Sequence, residues 1–322
     1  MKRFLAVMLV LLAVVPLPAQ EKAPAKDDGA QPQWLDNWLN ENIDPDVLRV
    51  LNQLDEDKVQ KIFSELAQAM NGTNIYRLST LRETAKQVIP LLQKYEETTA
   101  LGDWLQTRLD YLEAAQELER EVKAARPNKP GAAGLPPPSL KMERQVWKHE
   151  LEKRPLPPQA QSYLPALKAA FVAEGAPPEL VWLAEVESSF NAKARSPSGA
   201  AGMFQLMPQT ARAEQLSLWP LDERLRPEKS ARAAARRLRA LHAHYGDWEL
   251  ALAAYNAGEG RVDKLLKQQK GRSFESISRF LPAETQMYVP KVEATVRERT
   301  GKELQDLRGS AQGPSATSAG EA

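Results

Sequence analysis

The 322-residue chain carries 43 Lys and Arg against 42 Asp and Glu and is 43% apolar. That length and apolar content are enough for about two domains with real cores, which excludes a wholly disordered chain. The balanced charge excludes a protein drawn to nucleic acid by a long-range positive field. With no cysteine, disulfides, thiol catalysis and Cys-based metal sites are excluded too, and the fold must hold by packing alone.

The chain opens Met1-Lys-Arg, followed by an apolar run from Phe4 to Val15 and then Pro16 to Gln20. A basic start, a short apolar core and a small residue before a polar segment have the form of a secretory signal cleaved after Ala19. The run falls short of the ~20 residues that a bilayer span needs. Residues 1–19 are therefore read as a signal peptide, and the mature protein is expected in the periplasm or cell envelope, soluble after cleavage. An uncleaved anchor is the alternative. Residues 20–33 read as a flexible polar leader.

From 34 to 125 the pattern is helical, with Val59, Ile62, Phe63 and Leu66, and later Leu101, Trp104, Leu105, Leu109 and Leu112, at helical spacing. This stretch is expected to be a separate helical domain of unknown role, with breaks at Asn71-Gly72 and Gly102-Asp103. Trp34 and Trp38 are read as core residues rather than a membrane face, because Asp36, Asn37 and Asn40 supply no basic rim. Residues 126–139, rich in Pro and Gly, form a linker. Residues 140–303 hold a second, denser set of helices that starts with a charged one around Met142 to Lys153. Residues 304–322 are Gly-, Ser- and Ala-rich and read as a disordered tail. With no convincing strand alternation, the fold class is all-α.

Chemistry concentrates in the second half. After Pro177-Pro178, which suits a helix start, Leu180, Leu183, Ala184, Glu187 and Phe190 share one face when residues are projected at about 100° each. Glu187 points into an apolar stripe, and Glu185, about 160° away, is expected to face solvent. Two readings follow for Glu187. Burial would raise its pKa, as a general acid near neutral pH requires, or it is a structural glutamate paired with an arginine. The turn-rich Ser196-Pro-Ser-Gly-Ala-Ala-Gly202 suits the wall of a cleft, and Gln205 and Met207 add the mixed polar and apolar surface of a sugar site.

Three segments carry a resemblance: ESSFNAKARSPSGAAGMFQLMPQTA from Glu187, LALAAYNAGEGRV from Leu250 and LPAETQMYVPKV from Leu281. In order and separation they resemble the lytic transglycosylases of the Slt type, the third segment looking most like the membrane-bound lytic murein transglycosylase D branch. The resemblance covers residues 155 to 303. It implies a lysozyme-like helical domain that cleaves the MurNAc-β-1,4-GlcNAc bond of peptidoglycan strands and leaves 1,6-anhydroMurNAc ends, with no metal and no organic cofactor. It makes Glu187 the single catalytic acid/base and places Ser196, Gln205, Met207, Tyr255, Asn256, Glu284 and Tyr288 around the substrate. Glu284 is open to two roles. It orients the cleft, or it is a second carboxylate, as in a goose-type-lysozyme-like hydrolase. A non-catalytic, peptidoglycan-binding envelope scaffold is the further alternative, and the helices of 34–125 are the candidate surface for an envelope protein partner.

Two patterns are given plainer readings. Arg232, Arg236 and Arg239 follow helical spacing, but in an exported protein of balanced charge they are read as a solvated face rather than a nucleic-acid site. His242 and His244, two apart on a helix, point in different directions and do not make a zinc centre with His149.

Overall fold

The structure, a computed structural model, describes residues 56–94, 96–125 and 134–307. The expected signal, leader, Trp34 and Trp38, and most of the linker and tail lie outside these residues. The all-α expectation holds: among the described residues there are helices and two isolated β-bridges, Arg195 with Ala201 and Ala201 with Leu206.

Four helices precede the linker: α1 (Glu56–Asn71), α2 (Tyr76–Ser79), α3 (Arg82–Gln93) and α4 (Glu96–Ala124). Helix α1 ends at the expected Asn71-Gly72 break. The second expected break is corrected, because Gly102 lies inside α4. A Cβ there would stand 2.8 Å from Gln93 Cγ and 3.1 Å from Leu92 Cβ. This glycine lets α3 and α4 approach closely instead of ending a helix.

After the linker come α5 (Leu140–Glu152), α6 (Ala160–Ala173), a 3₁₀ turn at Pro178–Trp182, α7 (Leu183–Ser188) and α8 (Pro208–Ala213). Then follow α9 (Pro227–Tyr245), α10 (Trp248–Ala257), α11 (Glu259–Gln269), α12 (Phe274–Ile277) and α13 (Ala283–Thr300). Local signals set several of these ends. Ser139 and Asp247 cap α5 and α10 by accepting from the amides of Met142 at 3.3 Å and Leu250 at 2.7 Å. Gly246 ends α9 with φ of 67°, the glycine cap its sequence calls for.

Helix α13 is the hub. Most of its side chains are buried, and it packs on α5, α10, the 3₁₀ turn at Pro178–Trp182, and α1. The helices before the linker share one hydrophobic cluster with those after it. The Ala283 amide donates to Gly72 O at 2.7 Å, and Gln286 Nε2 donates to Thr73 O at 2.9 Å. Tyr111 of α4 meets Trp147 of α5 edge to face at 5.5 Å, and both are essentially inaccessible to solvent. Burying side chains of this size contributes roughly 2–3 kcal/mol each, so the contact across the linker is strong.

The tail boundary also shifts. A 3₁₀ turn covers Leu304–Asp306, Leu304 and Leu307 are buried, and Leu307 O accepts from Trp248 Nε1 at 3.2 Å. Ordered structure therefore runs past 303, because two leucines in the polar tail reach the core.

Candidate active site

Helix α7 is short because its C-terminus turns sharply. Ser189 and Phe190 both adopt positive φ, 51° and 62°, which for non-glycine residues is uncommon and costs free energy. The turn sends the chain into the loop of residues 190–207 directly after Glu187. Ser188 Oγ donates to Met203 O at 2.9 Å, tying the last turn of α7 to that loop. At Gly202, with φ of 79°, a Cβ would lie 1.8 Å from Arg224 O. Only glycine fits, and Arg224 braces the same loop by donating to Gly199 O and Leu206 O at 2.7 and 2.9 Å.

Glu187 is 7% exposed and accepts a hydrogen bond from Tyr288 Oη at 2.7 Å. Burial raises its pKa from the ordinary value to about 7, against the opposing pull of Arg108 and the Tyr288 hydrogen bond, while the charge of Glu284 adds to the rise. The carboxyl can therefore hold or release a proton near neutral pH. Burial pushes the Tyr288 and Tyr255 phenols well above their usual range, with Glu187 adding to both shifts, so both stay donors.

Glu185 is corrected. It does not face solvent but is 5% exposed, and Arg299 of α13 donates to both its oxygens, at 2.8 and 3.0 Å. The projection assumed one uninterrupted α-helix, whereas the first turn is 3₁₀ and α7 stops at Ser188. Phe190 lies beyond that end and is buried through the turn, in edge contact with Trp182 at 5.7 Å. Of the two carboxylates, Glu185 has the structural ion pair, and Glu187 is held by a neutral hydroxyl.

The other expected residues fall into two groups. Tyr288 bonds Glu187 directly. Tyr255 Oη donates to Phe204 O at 2.8 Å, and Asn256 Oδ1 accepts from Thr285 Oγ1 at 2.7 Å, so the Tyr-Asn pair of α10 joins the 190–207 loop to α13. Glu284 receives Arg108 Nη2 at 3.3 Å. Ser196 and Gln205 serve the loop itself. Ser196 Oγ accepts from the Ala200 amide at 2.9 Å, and Gln205 Nε2 donates to Gly202 O at 2.8 Å. Met207, half-buried, stands just before α8.

Sequence reasoning missed four residues that α4 and α13 bring to this region. Asp110 takes Lys291 Nζ at 3.1 Å and also pairs with Arg154. Burial alone would raise the Asp110 carboxyl, but these cations hold it below the usual range. Lys291, 2% exposed, has its ammonium 4.3 Å from the centre of the Tyr111 ring. Arg108 and Tyr111 complete the set: Arg108 pulls the Glu187 carboxyl down, and the Tyr111 phenol, pushed up by burial, stays neutral beside these charges. The signal for Arg108 was present: Leu101, Leu105, Arg108 and Leu112 lie on one helical face. On α13, Glu284, Tyr288 and Lys291 likewise share a face.

The histidines go to separate partners. His242 stacks on Trp248 at 3.9 Å, and His244 meets Asp263 at 3.3 Å. Glu259 and Asp263 lie close to His244, but Arg237 holds Glu259 at 3.0 Å and Tyr245 Oη donates to Asp263 at 2.8 Å. On α9, Arg232 and Arg236 pair with Glu174 at 3.1 and 3.4 Å on a partly exposed face. A groove of about 580 Å³ between α4 and α5, lined by Glu117, Glu121, Met142 and His149 among others, contains none of the expected site residues.

The transglycosylase SLT domain family matches residues 166–278. Membrane-bound lytic murein transglycosylase D of Escherichia coli (strain K12) is 39% identical over 137 residues, 41% of this chain and 30% of that protein. A putative tributyltin chloride resistance protein of Alteromonas sp. (strain M-1) is 35% identical over 133 residues, 40% of this chain and 64% of the relative. The match thus spans under a third of the first relative and just under two thirds of the second. A solved lytic transglycosylase Slt from Pseudomonas aeruginosa gives a distant likeness, with TM-score 0.38 and 20% identity over 82% of this chain and 62% of that one. Residues 166–278 thus match the transglycosylase SLT domain family, and the chain shares sequence with the lytic murein transglycosylases over part of its length.

Proposed function

We propose that the protein is a lytic transglycosylase of the cell envelope that cleaves the MurNAc-β-1,4-GlcNAc bond of peptidoglycan with Glu187 as its single acid/base. The observation that carries this reading is a buried carboxyl just before a tightly turned loop, fixed by Tyr288 and raised to about 7. The SLT domain match and the murein transglycosylase relatives agree with it. Among the described residues no helix is long and apolar enough to cross a membrane, and the export reading of residues 1–19 supplies the envelope location.

Glu187 enters the reaction protonated and donates to the glycosidic oxygen as positive charge grows at the muramic acid carbon. The carboxylate left behind takes the proton of that sugar's own C6 hydroxyl, whose oxygen closes onto the same carbon. The C–O bond to the leaving sugar breaks, the 1,6-anhydro bond forms, and no water is consumed. Because the nucleophile belongs to the substrate, orientation replaces a second protein carboxylate, and effective molarities for such closures reach on the order of 10⁵ M. Tyr288 keeps the carboxyl in one rotamer for both transfers. The wall of residues 196–207 and the Tyr255-Asn256 pair shape the cleft around the sugar. A surface for an envelope protein partner on the stretch 34–125 belongs to the same proposal.

A hydrolase that uses Glu284 as second carboxylate is the competing reading. It is favoured by the charge of Glu284 acting on Glu187 and opposed by the Arg108 ion pair that already engages Glu284. Mass spectrometry of muropeptides released from purified sacculi by the mature protein separates the two. Products lighter by one water at the muramic acid end, absent with Glu187→Gln, are expected. Ordinary reducing ends would establish hydrolysis, and undiminished lysis by Glu187→Gln would remove Glu187 from the mechanism.

A further inference from the structure

We infer that Arg108, carried by α4 well before the region that matches the transglycosylase family, is a positioning residue for this reaction: paired with Glu284, it sets how readily Glu187 gives up and recovers its proton. The inference rests on the reading of Glu187 as the acid, and it makes a helix from before the linker part of the active site.

The geometry is specific. Leu101, Leu105 and Leu112 form the apolar face on which Arg108 sits, and Arg108 is only 8% exposed. Its Nη2 reaches Glu284 Oε1 at 3.3 Å, its Nη1 reaches Thr107 Oγ1 at 3.0 Å, and its guanidinium lies 5.2 Å from the centre of the Trp104 ring. Its Nε is buried without a hydrogen-bond partner. An arginine in this position loses most of its hydration and leaves a donor unused, so packing alone would favour a leucine. What offsets that cost is the pair of glutamates beyond it.

Among the described residues, the charged and titratable groups that act most strongly on Glu187 come from α4, α10 and α13. Arg108 and Tyr111 come from α4, Tyr255 from α10, and Glu284, Tyr288 and Lys291 from α13. Burial and Glu284 favour the protonated acid, whereas Arg108, Lys291 and the Tyr288 hydrogen bond favour the carboxylate. Arg108 acts twice, directly on Glu187 and by offsetting the charge of Glu284. It needs no contact with the sugar to do so. Without it, Glu187 would keep its proton to higher pH and would be a poorer donor to the glycosidic oxygen in the first half of the reaction.

The test is a substrate-free infrared titration of the full-length mature protein, with the Glu187 carboxyl signal isolated by subtracting Glu187→Gln. The wild-type midpoint is expected at about 7. Arg108→Met should move it upward by about one pH unit, the low end of the effect of an opposite charge at close range, and Arg108→Lys should restore most of the shift. Glu284→Gln should move it downward. A folded Arg108→Met protein whose midpoint stays put or falls would overturn the inference. Should that variant fail to fold because Glu284 is left unpaired, the double variant Arg108→Met/Glu284→Gln is compared with Glu284→Gln alone. A higher midpoint in the double variant supports the role of Arg108, and equal midpoints overturn it. Because no glycan is present, failure of the protein to cut peptidoglycan would defeat the functional reading and leave this result intact.

Discussion

At the scale of single residues, Glu187 pits reactivity against stability. Its folded-state pKa of about 7 lies above the 4.5 of an ordinary glutamate. The folded state is therefore favoured fully only below about 4.5, and that contribution is lost as pH rises through about 7. At about 1.4 kcal/mol per unit, the penalty at pH 8 is on the order of 3 kcal/mol. Glu187→Gln, which keeps an oxygen for Tyr288 to donate to, should abolish lysis and yet raise unfolding free energy at pH 8 by about 2–3 kcal/mol, with little gain at pH 4. Denaturant unfolding at the two pH values checks this, and equal stability of the two proteins at pH 8 would contradict the burial argument. The sequence showed Glu187 on an apolar stripe, and the structure keeps it buried. It could not show that Arg299 covers Glu185, because that contact comes from a helix more than a hundred residues away, and no pattern within one helix contains it.

The same limit appears at the scale of elements. Helical periodicity and local signals gave the helical class, the α1 end at Asn71-Gly72 and the approximate span of α5, where apolar spacing and caps act locally. They failed at Gly102, whose reason lies in α3, and at Leu304 and Leu307, two apolar residues among polar ones. The loop of residues 190–207 was legible as a turn-rich wall, but the need for glycine at 202 comes from Arg224 O across the cleft wall. Gly202→Ala should cost several kcal/mol, more than the ~1 kcal/mol typical of point mutations, and should lower the thermal midpoint and the activity together. A wild-type melting curve for this variant would mean that the wall adjusts freely. In α5, burial pushes the Glu143 carboxyl up to about 8 despite the opposing pull of Arg144, and its Oε2 has no hydrogen-bond partner. Raised in the same sense as Glu187, it favours the folded state below about 4.5 and loses that contribution as pH passes about 8. Glu143→Gln should therefore stabilise the protein at pH 9 and change it little at pH 4, as paired urea titrations would show.

At the scale of the molecule, α4 ties the two sides of the linker together. It contributes Arg108 and Asp110 to partly buried ion pairs with α13 and sets Tyr111 against Trp147. A protein beginning at residue 134 would leave Lys291 without Asp110 and would expose an aromatic surface, so it should be poorly soluble or lack a cooperative transition. A soluble 134–322 fragment with full activity would show that the helices before the linker are dispensable. The sequence suggested two units joined by a Pro/Gly segment, and that segment does separate helices along the chain. Their sharing of one core was hidden, because contacts between positions such as 108 and 284 leave no mark in either stretch alone.

In the proposed reaction one carboxyl, Glu187, passes a proton between two oxygens of the substrate and water takes no part. Digestion of sacculi in ¹⁸O-labelled water, with mass analysis of the new muramic acid ends, tests it most directly. Anhydro ends that carry no label are expected. Label at those ends would mean that water attacked the sugar, and the protein would then be a hydrolase.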